Sequence, residues 1–289
     1  MSDDPGRTIL DNIVSSRRHA LEETRSALPL EHVREMAEAR QERRDFAAAL
    51  VPDPSAGALK GLQVIAELKR ASPSRGLLRQ HYRPAEIALG YAGGGASALS
   101  VLTESQYFLG STQNLSEVRR TVEIPVLRKD FILESYQVFE SVAVGADALL
   151  LIVAILTDHD LHSLLGLCNS LRIAALVEVH TEEELDRAVV AGARIIGVNN
   201  RNLKTLEINM DTSLELRAKI PRGCVTVSES GIKTEADLRQ IKDAGFDAVL
   251  IGESFMTQPD PGAALSKLLA EFTGRPSPLE NRNSLGISG

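Results

Sequence analysis

Five short apolar runs in this chain end in side chains that can move or hold protons. The first reads Val64-Ile65-Ala66-Glu67-Leu68-Lys69, and its Glu67 and Lys69 stand two residues apart, so in an extended chain they share a face. Others end in Lys129 (Val126-Leu127-Arg128-Lys129), Glu178 (Leu176-Val177-Glu178), Asn199 (Gly197-Val198-Asn199, with Asn200 and Arg201 behind it) and Glu229 (Val227-Ser228-Glu229). Such groups are costly to bury unpaired. Lysines and glutamates converging in a partly dry pocket are what tunes groups for general acid–base catalysis. Structural ion pairs would account for any one of these ends, but poorly for five on one face.

A phosphate site is legible nearby. Ser230-Gly231 follows one run and Gly252-Glu253-Ser254 follows another. Both offer backbone N–H groups and hydroxyls with no bulky side chain in the way, as phosphate oxygens require. Other chemistries find less support. His159 and His162 fall on a helical stretch without a third ligand, and His180 reads as a surface residue. No metal site and no Ser–His–Asp or Cys–His arrangement stands out. Cys168 and Cys224 lie in separate elements and read as reduced, small apolar residues.

Eight apolar runs must position these groups: Leu62–Leu68, Ala98–Leu102, Pro125–Lys129, Asp147–Val153, Ile173–Val179, Ile195–Val198, Cys224–Ser228 and Ala248–Ile251. Helical stretches separate them, and an eighth helix covers about Gly262 to Phe272. Continuous apolar strands joined by helices predict a parallel sheet covered on both faces, either an open sheet or a closed barrel. An internal repeat decides for the barrel. Gly-x-x-apolar recurs at the second, fourth, sixth and eighth runs, from Gly95 to Ala98, Gly145 to Ala148, Gly192 to Ile195 and Gly245 to Ala248, where a helix ends in a left-handed cap. The expected fold is therefore an α/β (β/α)8 TIM barrel, whose strand C-termini carry the active site and whose last two loops often bind phosphate. Residues 1–56 read as an N-terminal helical extension packing on the barrel, 57–272 as the catalytic barrel and 273–289 as a polar, disordered tail.

With a net charge of −7 the chain has no basic stripe for nucleic acid. Arg17-Arg18 and Arg43-Arg44 lie in helical patterns near acids and read as solvated faces. No signal peptide is visible, and the longest apolar run, Ala146 to Leu156, is too short to span a bilayer. A cytoplasmic protein without membrane or nucleic-acid partners is expected.

The segment Val64-Ile65-Ala66-Glu67-Leu68-Lys69-Arg70-Ala71-Ser72-Pro73-Ser74 closely resembles the signature of indole-3-glycerol-phosphate synthases. Leu102-Thr103-Glu104, Tyr107-Phe108-Leu109-Gly110-Ser111, Leu127-Arg128-Lys129-Asp130-Phe131, Leu176-Val177-Glu178-Val179-His180, Gly197 to Leu203, Ser228 to Ile232 and Ile251 to Met256 extend the resemblance from about Ile9 to Phe272. It implies a lyase of tryptophan biosynthesis that converts 1-(2-carboxyphenylamino)-1-deoxyribulose 5-phosphate to indole-3-glycerol phosphate, losing CO2 and water, with no cofactor or metal.

By the same resemblance Lys129 is the general acid of ring closure, while Glu67 and Glu178 handle protons and steady the cationic intermediate. Lys69 pairs with an anionic substrate group or acts as acid in dehydration; the division of labour between the two lysines stays open. Asn199 and Glu229 hold substrate hydroxyls and orient the lysines. Ser72, Ser230, Gly231, Gly252 and Ser254 resemble phosphate-side positions, Arg201 a mouth-lining cation, and Phe108, Phe131 and Leu203 walls for the anthranilate ring. Gln106 departs from the family, which often carries a charge there. The rival readings are another phosphate-binding barrel, such as phosphoribosylanthranilate isomerase, and a non-catalytic ligand-binding barrel. The first wants a Cys/Asp pair, whereas Cys224 begins its strand.

Overall fold

A computed structural model describes residues 7–51 and 61–274. The expected boundary at residues 56/57 and all but the first two residues of the expected tail lie outside them.

Eight parallel strands close into a barrel: β1 (Gln63–Leu68), β2 (Ala98–Leu102), β3 (Val126–Lys129), β4 (Ala148–Ile152), β5 (Ala174–Val179), β6 (Ile195–Asn199), β7 (Val225–Glu229) and β8 (Ala248–Ile251). Closure is made by β1 beside β8, with Ala66 opposite Ile251. Each predicted run meets its strand to within one residue at either end, because the apolar runs are the strands and little else in the chain is continuously apolar. The four repeat glycines all adopt positive φ, between 89° and 107°, ending helices just before a strand.

The strand period of two divides the core. On β1, Val64, Ala66 and Leu68 face outward into the layer between strands and helices, while Ile65 faces the barrel interior with Ala98, Leu127, Ala148, Leu176, Ile195, Val227 and Ala248. Phe46 and Leu50, from a short helix Phe46–Leu50, join the interior group and are fully buried. Ile13, from the first helix Ile9–Ala27, joins the same group along with Phe131.

The N-terminal arginines depart from expectation. Arg40 to Arg44 form an irregular link after the helix Leu30–Ala39, and their charges turn onto the barrel. Asp147, fully buried ahead of β4, pairs with Arg40 at 3.2 Å and Arg119 at 2.9 Å. It also accepts the backbone N–H groups of Arg44 and Val126, each at 3.0 Å. Arg44 bonds the Ile124 carbonyl at 2.9 Å. At the opposite end Arg17 bonds buried Asp130 at 3.0 Å. Arg17 and Arg44 are thus clamps on the barrel and not a solvated face, Arg17 on a buried carboxylate and Arg44 on a backbone carbonyl, whereas Arg43 bonds only the neighbouring carbonyls of Arg40 and Glu42.

Asp147→Asn should test the lower clamp. The variant leaves two arginines without their anion, so urea unfolding should show a loss of about 3 kcal/mol; a loss under about 1 kcal/mol would mean that the clamp adds little beyond its neutral hydrogen bonds.

Candidate active site

Inward positions at the strand C-termini form one ring of side chains. The alternation that buries Ile65, Leu127, Leu176 and Val227 brings Glu67, Lys129, Glu178 and Glu229 inward two residues further on, and Asn199 follows Ile195 and Gly197 on the same face. The residues expected from the strand ends are therefore assembled at one mouth. Lys69 Nζ lies 2.9 Å from Glu67 Oε1, confirming their shared face. Ser100, on β2, donates to Glu67 Oε2 at 3.3 Å. Lys129 Nζ sits between two carboxylates, 3.1 Å from Glu178 Oε2 and 3.1 Å from Glu229 Oε2.

Burial and charge set the protonation of this cluster. Burial alone would deprotonate Lys129, but the charges of Glu178, Glu229 and Glu67 overcome it and hold the ammonium well above its ordinary range. Burial would also raise Glu67 and Glu178. Lys69 and Lys129 pull Glu67 down, and Lys129, His180 and Asn199 pull Glu178 down. Glu229 goes the other way: burial, with Glu178 and Glu67 adding to it, prevails over Lys129 and pushes its carboxyl up to about 7. Its Oε1 is buried without a hydrogen-bond partner.

Two glycines make room for these acids. A Cβ on Gly197 would lie 2.2 Å from Glu229 Oε1, and one on Gly252 would lie 2.6 Å from Glu67 Oε1.

Beside the ring lie two connected recesses. Lys69, Arg201, Ser230, Gly231, Gly252 and Ser254 line a polar one, together with Lys233. Ser230 and Gly231 both have positive φ, 66° and 89°, a tight left-handed turn. Asn200 braces it, donating to the Ser230 carbonyl at 3.0 Å and to Ser228 Oγ at 3.2 Å. The other recess is largely apolar, walled by Phe108, Phe131 and Leu203, with Ile9, Leu10 and Ile13 of the first helix closing it. The Phe108 and Phe131 rings stand 6.2 Å apart. Ser72 lines this second recess, not the loops after β7 and β8 with which it had been grouped. Lys69 and Arg201 border both recesses and the ring. Arg201 also lies 3.5 Å from Glu253.

Several supporting residues escaped the sequence reading. Glu104, 2% exposed, accepts the N–H groups of Gln106, Tyr107 and Phe108 at 2.9, 2.7 and 3.0 Å, which fixes the loop carrying Phe108. The Gln106 side chain meets Ser16 of the first helix. His180 is not a surface residue: its side chain is 11% exposed and lies 3.3 Å from Glu178. The spacing of two that linked Glu67 to Lys69 also links Glu178 to His180, so the signal was present. Asn200 gave no signal beyond its neighbourhood. Among the described residues, no group of three or more His, Cys, Asp or Glu side chains could hold a metal ion, and no helix is long and apolar enough to cross a membrane.

Barrel and mouth together define a (β/α)8-barrel enzyme equipped for acid–base chemistry. Residues 10–268 match the indole-3-glycerol phosphate synthase family, and the chain belongs to that family. An indole-3-glycerol phosphate synthase from a Polaromonas species is 47% identical over 260 residues, covering 90% of this chain and 97% of the relative. That of Chloroherpeton thalassium is 49% identical over 254 residues, covering 86% and 95%. Among solved structures, a mandelate oxidase superposes with a TM-score of 0.56 at 16% identity over 90% of this chain and 86% of that one. A thiamine phosphate pyrophosphorylase from Pyrococcus furiosus gives 0.55 at 15% identity over 74% and 96%. At those identities the likeness is one of fold.

Gly197→Ala should force Glu229 off its position. We expect a stability loss of about 1–3 kcal/mol by thermal unfolding, with turnover falling by a larger factor than that loss explains. Undiminished turnover would show that Glu229 can move without consequence.

Proposed function

We propose that this chain closes the indole ring, converting 1-(2-carboxyphenylamino)-1-deoxyribulose 5-phosphate to indole-3-glycerol phosphate with release of CO2 and water. Membership of the family makes it a carboxy-lyase of tryptophan biosynthesis. The observation that carries the residue roles is the place of Lys129: a buried ammonium between two carboxylates, in a ring that shares Lys69 and Arg201 with both the apolar recess and the polar cradle of small residues.

An elongated substrate fits that order. Its aryl ring enters the recess of Phe108, Phe131 and Leu203, and its phosphate meets Ser230, Gly231, Gly252 and Ser254 with Arg201 at the border. Ser72 joins the aryl side. The ribulose carbonyl then lies within reach of Lys129. As the ring carbon bearing the carboxylate attacks the carbonyl carbon, the carbonyl oxygen takes the Lys129 proton. The flanking glutamates keep Lys129 charged until that oxygen, far more basic as an alkoxide, can claim the proton. The carbon–carboxylate bond then breaks, releasing CO2 and returning its electron pair to the aromatic ring. In the last step the hydroxyl leaves as water with a proton from a lysine, Lys69 or Lys129. Glu178 or Glu67 accepts the proton from the adjacent carbon. Asn199 and Glu229 hold the substrate hydroxyls. No cofactor enters this sequence, and the cytoplasm is the compartment we assign to it.

The direct test is fluorescence of indole-3-glycerol phosphate from the carboxyphenylamino substrate and purified protein; no product from folded protein would overturn the assignment. In that assay Lys129→Met should cut kcat by about 10³-fold while substrate still binds, because the proton is used chiefly in the transition state. Near-native turnover would remove Lys129 from the acid role. Ser254→Glu sets a carboxylate against the phosphate, so KM should rise about tenfold or more; an unchanged KM would place the phosphate elsewhere.

A further inference from the structure

His180 and Glu184 take no part in the chemistry described so far, yet they form a built arrangement behind Glu178. His180 follows β5, and Glu184 lies in the first turn of the helix Glu182–Val190. One oxygen of Glu184, Oε2, accepts the His180 backbone N–H at 2.7 Å and lies 3.0 Å from ring Nδ1. It pins main chain and ring together. The opposite nitrogen, Nε2, is buried, has no straight hydrogen bond and lies 3.3 Å from Glu178 Oε1. The other oxygen of Glu178 is the one that meets Lys129.

Each ring nitrogen thus faces a carboxylate. A neutral imidazole has one N–H and one lone pair, so either tautomer would set a lone pair against an anion; only the imidazolium donates from both sides. The charged groups facing the ring are Glu178 from its own strand end and Glu184 from the helix. Lys129 from β3 and Asn199 from β6 reach Glu178.

We propose that His180 is a positioning residue for Glu178: a cationic imidazole, oriented by Glu184, that holds one carboxylate oxygen and leaves the other to work with Lys129 and the substrate. The proposal rests on the ring-closing reading. Its consequence is a charge that outlasts proton transfer. When Lys129 gives its proton away, Glu178 would otherwise stand buried beside Glu229 with no cation in contact and would take up a proton itself. The imidazolium keeps it an anion, ready to accept the proton released in the last step. Burial lowers the ring's proton affinity, but the hydrogen bonds and charges of Glu178 and Glu184 outweigh it and raise it to about 9. A raised histidine contributes its stability in full below 6.5, its ordinary value, and loses it as pH climbs through about 9.

The experiment compares native protein, His180→Gln and Glu184→Gln by turnover across a pH series, with nitrogen-15 NMR of the ring. Gln can still donate a hydrogen bond to Glu178 but carries no charge. His180→Gln should lower kcat about 10–100-fold with KM changed less than about threefold, and should lose the alkaline fall in kcat that native protein shows near the ring's titration. Glu184→Gln keeps the ring but removes one anion, so that fall should move to lower pH. The ring signal missing in His180→Gln assigns His180 in native spectra, where it should titrate near 9. A native ring titrating below its ordinary value, or His180→Gln turning over within about twofold of native, overturns the proposal. Should His180→Gln fail to fold, Glu184→Gln decides alone: an alkaline limb that does not move overturns it. Native protein without turnover would defeat the ring-closing reading itself. Native turnover with an unaffected His180→Gln defeats only the role of His180.

Discussion

A lysine ammonium held in a nearly dry barrel mouth is the constraint around which the rest is arranged. Lys129 could not stay charged there alone, because burial favours its neutral form. Glu178 and Glu229 keep the proton on it. Those two carboxylates then need room and support. Gly197 gives Glu229 the space a Cβ would fill, Asn199 and His180 support Glu178, and Gly252 does for Glu67 what Gly197 does for Glu229. Glycine stands in β6 and just past β8 because the acids beside those positions leave no room for a Cβ.

The same constraint explains the burial of Arg128 next to Lys129. Alternation turns Arg128 outward into the layer between strand and helices, where it is fully buried. Asp130 meets it at 2.9 Å and Glu140 at 2.7 Å, and Asp130 is shared with Arg17 of the first helix at 3.0 Å. Asp130 also accepts the N–H of Phe131, at 2.8 Å. One carboxylate thus connects the strand end carrying Lys129, a wall of the apolar recess and the helix that closes that recess.

How much of this the sequence disclosed follows from what each feature needs. Strand positions, the barrel and the inner ring Glu67, Lys129, Glu178, Asn199 and Glu229 depend on local runs and a period of two, which are visible in one dimension. The walls Phe108, Phe131 and Leu203 came from the family resemblance and gather as expected. The clamps were hidden because a charged residue in a helical pattern has the same local appearance whether water or a buried Asp147 lies opposite. Helical composition also ran on past Ala39, although the chain leaves the helix there so that Arg40 and Arg44 can reach barrel carbonyls. His180 was legible by the same period of two. It lies one step beyond the end of its strand, where the alternation that turns Glu178 inward still holds.

Counting charges around the ring explains why one acid behaves unlike its neighbours. Lys69 has Glu67, Lys129 has Glu178, and the His180 ring lies between Glu178 and Glu184. With the bordering pair Arg201–Glu253 set aside, three cations are matched by three carboxylates, and Glu229 is the fourth. It shares Lys129 with Glu178, and its Oε1 is left without a partner against Gly197. Burial and neighbouring anions therefore raise Glu229 to about 7, while Glu67 and Glu178 are drawn down. Two acids separated in this way can hold and accept protons at the same pH, which a set of equally matched pairs could not do. The odd carboxylate sets one acid of the cluster apart from the rest, and no residue type or spacing along the chain marks it as odd.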